Sequence, residues 1–241
     1  MSGIATQAGM LRGGAGERIV TSGLVLHLDA GNTSSYSGSG TIWTDLSGNG
    51  NDGTLMNGVG YSSANGGTLV FDGTDDFVTT SNQLDPDAYG LFADSGNIWS
   101  TSSWFNCDRL NRGISSIIGK GGGAGSFGNY LLYQAGSGLF VKLRGGSTDN
   151  RIGDISSNVW HNIVVTWDGT TAKSYLNSVF IKNHNVGTAS KQQMNFNIGS
   201  VNNGSLVFFE GKIAQTLVYN KALSAVEVTQ NYNALKGRFG L

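Results

Sequence analysis

WHNIVVTWDGTTAKSYLN, running from Trp160 to Asn177, decides the fold. Two β-prone runs, WHNIVVTW and AKSYLN, are separated by the turn signal Asp168-Gly169-Thr170-Thr171, and neither has a helical period. The same grammar repeats outward in both directions. LVLHLDA alternates Leu24, Leu26 and Leu28 against Val25 and His27. TLVFDG and DFVTT flank a turn at Gly73–Asp75, and ISSIIGK, NYLLYQ, LFVKL, SVFIK, FNIGS and GKIAQTLVYN follow. About a dozen such runs, punctuated by Gly, Asn, Asp and Ser, predict two stacked antiparallel sheets.

Composition agrees. Glycine occurs 38 times in 241 residues and proline once, roughly twice the usual ~7% for glycine, as many tight turns require. Charged residues are 13%, about half the common ~25%. A net charge of −1 supplies no field for nucleic acid or an anionic membrane. No apolar run approaches the ~20 residues of a membrane helix. The opening MSGIATQAGMLRGGAGERIV lacks the charged and apolar regions of a signal peptide. Cys107 is alone, so no intrachain disulfide forms, and it is expected to be a buried, inert thiol in a chain folded in a reducing cytosol.

One helix is expected, from about Ala225 to Lys236. Ser224 and Glu227 form an S-x-x-E capping box, apolar residues recur near helical spacing, and Gly237 stands where a C-terminal cap belongs. Residues 1–22 are small and glycine-rich and read as a flexible arm that a partner would order. The folded domain is then 23–241.

LVFDGTDDFV (Leu69 to Val78), WHNIVVTWDGTTAKSYLN and FEGKIAQTLVYNKALSAVEV (Phe209 to Val228), in that order, resemble the laminin-G-like, concanavalin A-like lectin/glucanase jelly roll. The resemblance implies an all-β, two-sheet antiparallel jelly-roll sandwich with one short C-terminal helix and an N-terminal arm. It covers nearly the whole chain from Leu24. A narrower resemblance, carried by GLVLHLDAGNTSSYSGSGTIWTDLSGNGNDGTLMNG and QNYNALKGRFGL, is to structural proteins of tailed bacteriophages, marine ones especially. Two departures stand out: Gly211-Lys212-Ile213-Ala214-Gln215 lacks the family's usual acidic pair, and Asn177-Ser178 replaces its Asn-Gly turn.

Glycosidases of this fold need two carboxylates about 5 Å apart, or a little more, on one face. The only glutamates are Glu17, Glu210 and Glu227, none with a carboxylate at +2 or +3. Asp75 and Asp76 are adjacent and would face opposite ways on a strand, so they read as turn residues. The G-x-G-x-x-G matches at Gly48-Gly50-Gly53 and Gly123-Gly125-Gly128 lack the following helix that holds phosphate. Ser126, after Gly125, lacks a nucleophile-elbow context. His27, His161 and His184 have no metal-ligand spacing.

Two binding constellations remain. Asp45, Asn49 and Asp52, with Gly50, resemble the first half of a calcium loop, and the competing reading is an Asx/Gly turn. Tyr36, Trp43 and Trp99, with Tyr61, lie near loops where a glycan could stack, and the competing reading is packing. Trp104, Trp160 and Trp167 fall inside strand runs and read as core. The expected function is a non-enzymatic virion surface protein, a capsid decoration or appendage subunit made in the host cytoplasm. It would be homo-oligomeric, contact other virion proteins through its arm, and reach a surface glycan. The alternatives are a glycan-binding lectin or adhesin module and, least favoured, a glycoside hydrolase.

Overall fold

The structure is a computed structural model that describes residues 18–80, 84, 98–110, 113–121, 130–143, 150–184, 195–201, 204 and 207–241. In chain order the strands are β1 (Leu24–Asp29), β2 (Ile42–Trp43), β3 (Gly53–Met56), β4 (Gly60–Ser62), β5 (Thr68–Asp72), β6 (Phe77–Thr80), β7 (Trp99–Cys107) and β8 (Ile114–Lys120). They continue as β9 (Tyr130–Ala135), β10 (Gly138–Leu143), β11 (Asn150–Asp154), β12 (Trp160–Trp167), β13 (Ala172–Leu176), β14 (Val179–His184), β15 (Phe196–Ile198) and β16 (Glu210–Tyr219). The expected runs are all present, and the structure adds the short strands β2, β3 and β4, the strand β11 and the nine-residue β7, which lies between β12 and β16 in the first sheet. Among the described residues no helix is long and apolar enough to cross a membrane.

Two eight-stranded antiparallel sheets result. The first runs β14-β13-β12-β7-β16-β5-β4, with β1 also on β16, and the second runs β11-β10-β9-β8-β15-β6-β3-β2. The opening stretch is the β12–β13 hairpin, paired from Ile163↔Leu176 to Trp167↔Ala172. Asn177 and Ser178 both have positive φ, 50° and 65°, so Asn-Ser makes the turn to β14 in the conformation usually given to Asn-Gly. Gly73–Asp75 does not close a hairpin, because β5 lies in the first sheet and β6 in the second. The turn carries the chain across the sandwich.

Alternation decides what lies between the sheets. On β12, His161, Ile163, Val165 and Trp167 point inward, and on the second sheet Val78, Ile118, Phe196 and Ile198 meet them in one core. Burying such side chains stabilises by roughly 1.5–3 kcal/mol each. Gly211 shows how tightly the strands fit: its φ is 146°, and a Cβ there would sit 2.2 Å from the Asn106 carbonyl oxygen.

The C-terminal helix α1 spans Ala225–Lys236. Its capping box forms as expected, with the Glu227 amide donating to Ser224 Oγ and the Ser224 amide to Glu227. Gly237 is not the left-handed cap. It continues in right-handed geometry into a 3-10 turn, Gly237–Phe239, and Gly240, at φ 74°, ends the chain's turn instead. The arm boundary also moves. Residues 1–17 lie outside the described residues, but Arg18–Ser22 belong to the folded body. Val20 is buried, its amide donates to Asn231 Oδ1 (2.8 Å), and its carbonyl accepts from the Tyr219 hydroxyl (3.0 Å).

Candidate functional site

Asp45, Asn49 and Asp52 sit together, but their oxygens serve the fold. Asp45 accepts from the His27 and Ser47 amides on one oxygen and from Ser47 Oγ and the Asn51 amide on the other. Asp52 accepts from the Asp45 amide. Asn49 donates to the Leu24 carbonyl, Ser47 Oγ and Asn51 Nδ2 donate to the Val25 carbonyl, and the Leu46 amide donates to the His27 carbonyl. The loop therefore caps the outer edge of β1, where unpaired backbone groups would otherwise invite another strand. The Asx turn accounts for the Ser47 amide bond to Asp45, and the remaining contacts tie the loop to β1.

The aromatic candidates are packed, which corrects the expectation that they face a glycan. Trp43 is 0% exposed, Trp99 3% and Tyr36 4%. Trp43 and Trp99 point into the sandwich by strand alternation. Tyr36 donates its hydroxyl to the Gly40 carbonyl (2.9 Å) and sits 5.5 Å from the exposed Tyr61 ring. Trp167 is core as read, whereas Trp104 and Trp160 point outward from the first sheet into a separate cluster beneath the C-terminal tail.

No described glutamate is free for acid/base work. Glu210 pairs with Arg109 (3.2 Å), and Glu227 is tied to the helix cap and Lys221, which hold its carboxyl below the usual range. Glu17 and the second glycine-rich match, with Ser126, lie outside the described residues. Asp72, Asp75 and Asp76 bring oxygens within 4.8 Å of one another. Two of them close the turn: Asp76 accepts from the Asp72 amide, and Asp72 from the Thr74 amide. Burial raises the Asp76 carboxyl, while the Thr74 amide lowers that of Asp72. Burial also lowers all three histidines, His184 to about 4, and pushes the Cys107 thiol up to about 12, the inert state expected of it.

The outer faces of the two sheets differ. On the first, α1, Arg18–Ser22 and the Gly237–Phe239 turn lie over Val164, Leu217, Tyr219, Trp104 and Trp160. On the second, register sets Asn197 beside Thr79 and Gly119, with Thr54 next in the row, all facing away from the core residues Phe196 and Ile198. Phe140 stands beside Tyr133 and Arg151, its ring stacked on Tyr133 at 5.3 Å and 13°. Val201 and Val207 pack at the Tyr133 end. Within this row Asn197, Gly119 and Tyr133 are buried, Thr54, Thr79, Phe140 and Lys142 are half-buried, and the exposed Arg151 is paired with Asp154. The Asn197 side-chain oxygen Oδ1 is buried with no hydrogen-bond partner. Sequence reasoning missed this face because its residues come from seven different strands.

Comparison with known proteins follows the geometry. Residues 72–229 match the family described as the concanavalin A-like lectin/glucanases superfamily, Laminin_G_3. No curated protein sequence matches the chain. Among solved structures, a mutant Trypanosoma rangeli sialidase aligns with TM-score 0.70 and 15% identity over 92% of this chain, which spans only 35% of that protein. The binding domain of Paraclostridial Mosquitocidal Protein 1 aligns at 0.67 and 16% over 88% of this chain and 52% of that one. Domain 4 of an extracellular arabinanase from Geobacillus stearothermophilus, solved with arabinotriose, aligns at 0.62 and 17% over 87% of this chain and 98% of that one. At these identities the likeness speaks to fold alone. Matched over more than half its length and carrying the two-sheet antiparallel fold, the chain belongs to the concanavalin A-like lectin/glucanases superfamily.

Proposed function

We propose that this chain is a non-catalytic carbohydrate-recognition module that works through the outer face of its second sheet. The observation that carries the reading is the contrast between that face, where the half-buried Phe140 stacks on Tyr133 near the exposed Arg151, and the described glutamates, which are held in ion pairs or a helix cap. The arabinanase domain solved with arabinotriose lends support by its fold. Affinity electrophoresis against arabinan, β-glucan, alginate and laminarin tests it. Phe140→Ala is expected to weaken retardation by about tenfold, the loss of one stacking contact, and no polysaccharide should release reducing ends. Retardation untouched by Phe140→Ala, or turnover, would overturn the reading.

The setting we propose for the module is a tailed-phage virion surface, as a decoration or appendage subunit. Its support is the resemblance carried by Gly23–Gly58 and Gln230–Leu241. Residues 1–17 would contact neighbouring virion proteins. Mass spectrometry of purified particles, with and without residues 1–17, tests this setting. Absence of the chain from the particles would remove it.

A further inference from the structure

The net charge of −1 conceals a division. Between Ile19 and Asp108 there is no lysine or arginine, while ten aspartates stand there. From Arg109 to Leu241, thirteen lysines and arginines face five acidic residues. The topology turns part of this asymmetry into a spatial one, the exceptions being Lys212 on β16, which pairs with β1 and β5, and Arg238, which is bonded to Asp29 and to the Asn65 and Gly67 carbonyls. Strands β1 to β6 occupy one side of the sandwich, where β4 and β2 end the two sheets. Strands β8 to β14 occupy the other, where β14 and β11 end them and touch each other. The first side carries the exposed Asp72 and Asp75, with the partly buried Asp52. The second carries Lys173, the exposed Lys182 and Arg151, against Asp154 and Asp168.

Each edge also shows apolar surface. Ile42 and Tyr61 are 50% and 37% exposed on the acidic side, and Val179 and Phe180 are 62% and 50% exposed on the basic side. Continuation of a backbone ladder is blocked: β14 carries a bulge opposite Ser174/Tyr175, β2 is two residues long and β4 three. Contact must therefore be made by side chains. A two-fold dimer through either edge would set like charges against each other, whereas unlike edges attract.

We propose that copies of this chain associate head to tail, the acidic β2/β4 edge of one against the basic β11/β14 edge of the next. The occupant of each edge is a second copy because the chain itself supplies the complementary charge and a matching apolar patch. Such an interface is heterologous and builds rings or open chains. It is screened by salt, since the Debye length falls to about 8 Å at physiological ionic strength and about 3 Å at 1 M.

Sedimentation velocity on the full chain tests this. At about 20 mM salt the mean mass should rise with concentration above the 25.3 kDa monomer, and at about 1 M it should return to the monomer. Lys173→Glu/Lys182→Glu, which reverses the basic edge, and Ile42→Lys/Asp75→Lys, which alters the acidic one, should each be monomeric at low salt. Mixed together they should associate again, because the native acidic edge of one meets the native basic edge of the other and the two altered edges are themselves of opposite charge. A wild-type monomer at low salt would overturn the proposal. So would undiminished association of either variant with native circular dichroism, or no association on mixing. Retention of the monomer by dextran sulfate without self-association would assign the basic edge to a polyanion instead.

Discussion

The outer faces of the two sheets start from the same alternation of side chains and end differently. On the first sheet, Trp104 and Trp160 point away from the core yet are 1% and 8% exposed, because the chain's own end lies on them. Phe239 stacks on Trp104 at 4.5 Å and approaches Trp160 at 4.4 Å, and Tyr232 stacks on Trp104 at 5.4 Å. Arg238 fastens this tail: it donates to Asp29 (2.7 Å) and to the Asn65 and Gly67 carbonyls. On the second sheet Tyr133 is buried and the Phe140 ring stacked on it is half-buried, with the exposed Arg151 beside it. One outward aromatic group has become a second small core, and the other keeps part of one ring in solvent. An outward-pointing aromatic therefore says nothing of function until what lies over it is known.

Stability measurements should separate the two faces sharply. Trp104→Ala is expected to cost about 3–5 kcal/mol in urea unfolding, since the side chain is fully enclosed. Phe140→Ala, where the ring is half-buried, should cost roughly 1 kcal/mol or less while weakening glycan retention about tenfold. Equal costs would erase the distinction between the faces.

Arg238→Ala leaves Asp29, 5% exposed in its side chain, without its cation. Breaking a buried pair from one side costs about 3–5 kcal/mol. The same variant should raise the intensity of Trp104 and Trp160 quenching by acrylamide as the tail loosens. Unchanged quenching would mean that Arg238 does not hold the tail.

Truncation sharpens the contrast at the other end of the chain. Deleting residues 1–22 removes Val20 and its bonds to Asn231 and Tyr219, an expected loss of about 2–3 kcal/mol. Deleting 1–17 should leave the unfolding midpoint where it was. If both deletions behave alike, Arg18–Ser22 are not part of the covered face.

Acid offers a probe of the sandwich between the faces. His184 is buried with neither ring nitrogen hydrogen-bonded, and burial lowers it from 6.5 to about 4. The unfolded chain binds its proton below about 6.5 and the folded chain only below about 4, so unfolding takes up a proton between them. That contribution is complete above pH 6.5 and is lost as the pH falls toward 4. His184→Gln should flatten the slope of stability against pH in this window. The smallest expected effect is that of calcium: melting temperatures in calcium and in EDTA should coincide, whereas Asp45→Ala lowers both equally by removing four hydrogen bonds to its carboxylate. A calcium-dependent rise abolished by Asp45→Ala would restore the metal reading of that loop.

Much of this was legible in the residues. The β12–β13 stretch, the Ser224/Glu227 cap and the buried thiol of Cys107 each follow from local rules: period-two alternation, reciprocal capping and the apolar company of a lone cysteine. The same rules left Asp45 with two readings. A D-x-S-x-N loop and an edge cap use the same oxygens, and only the tertiary structure shows that these oxygens meet β1. Tyr36, Trp43 and Trp99 carry two readings for a related reason, and their burial favours packing. Nearness to a loop in sequence is not nearness to solvent when a second sheet packs on the strand.

By itself, then, the sequence determined the strands, their turns, the capped helix and the separation of acidic from basic halves, because each depends on neighbours within a few residues or on a simple count. Tertiary structure alone decided which outward face would be covered, that Arg18–Ser22 would join the body, and that Arg238 would come to rest on Asp29. Those outcomes depend on contacts between residues up to about two hundred positions apart, such as Arg238 with Asp29 and Asn231 with Val20, and no local pattern of side chains encodes where the far end of a chain will come to rest.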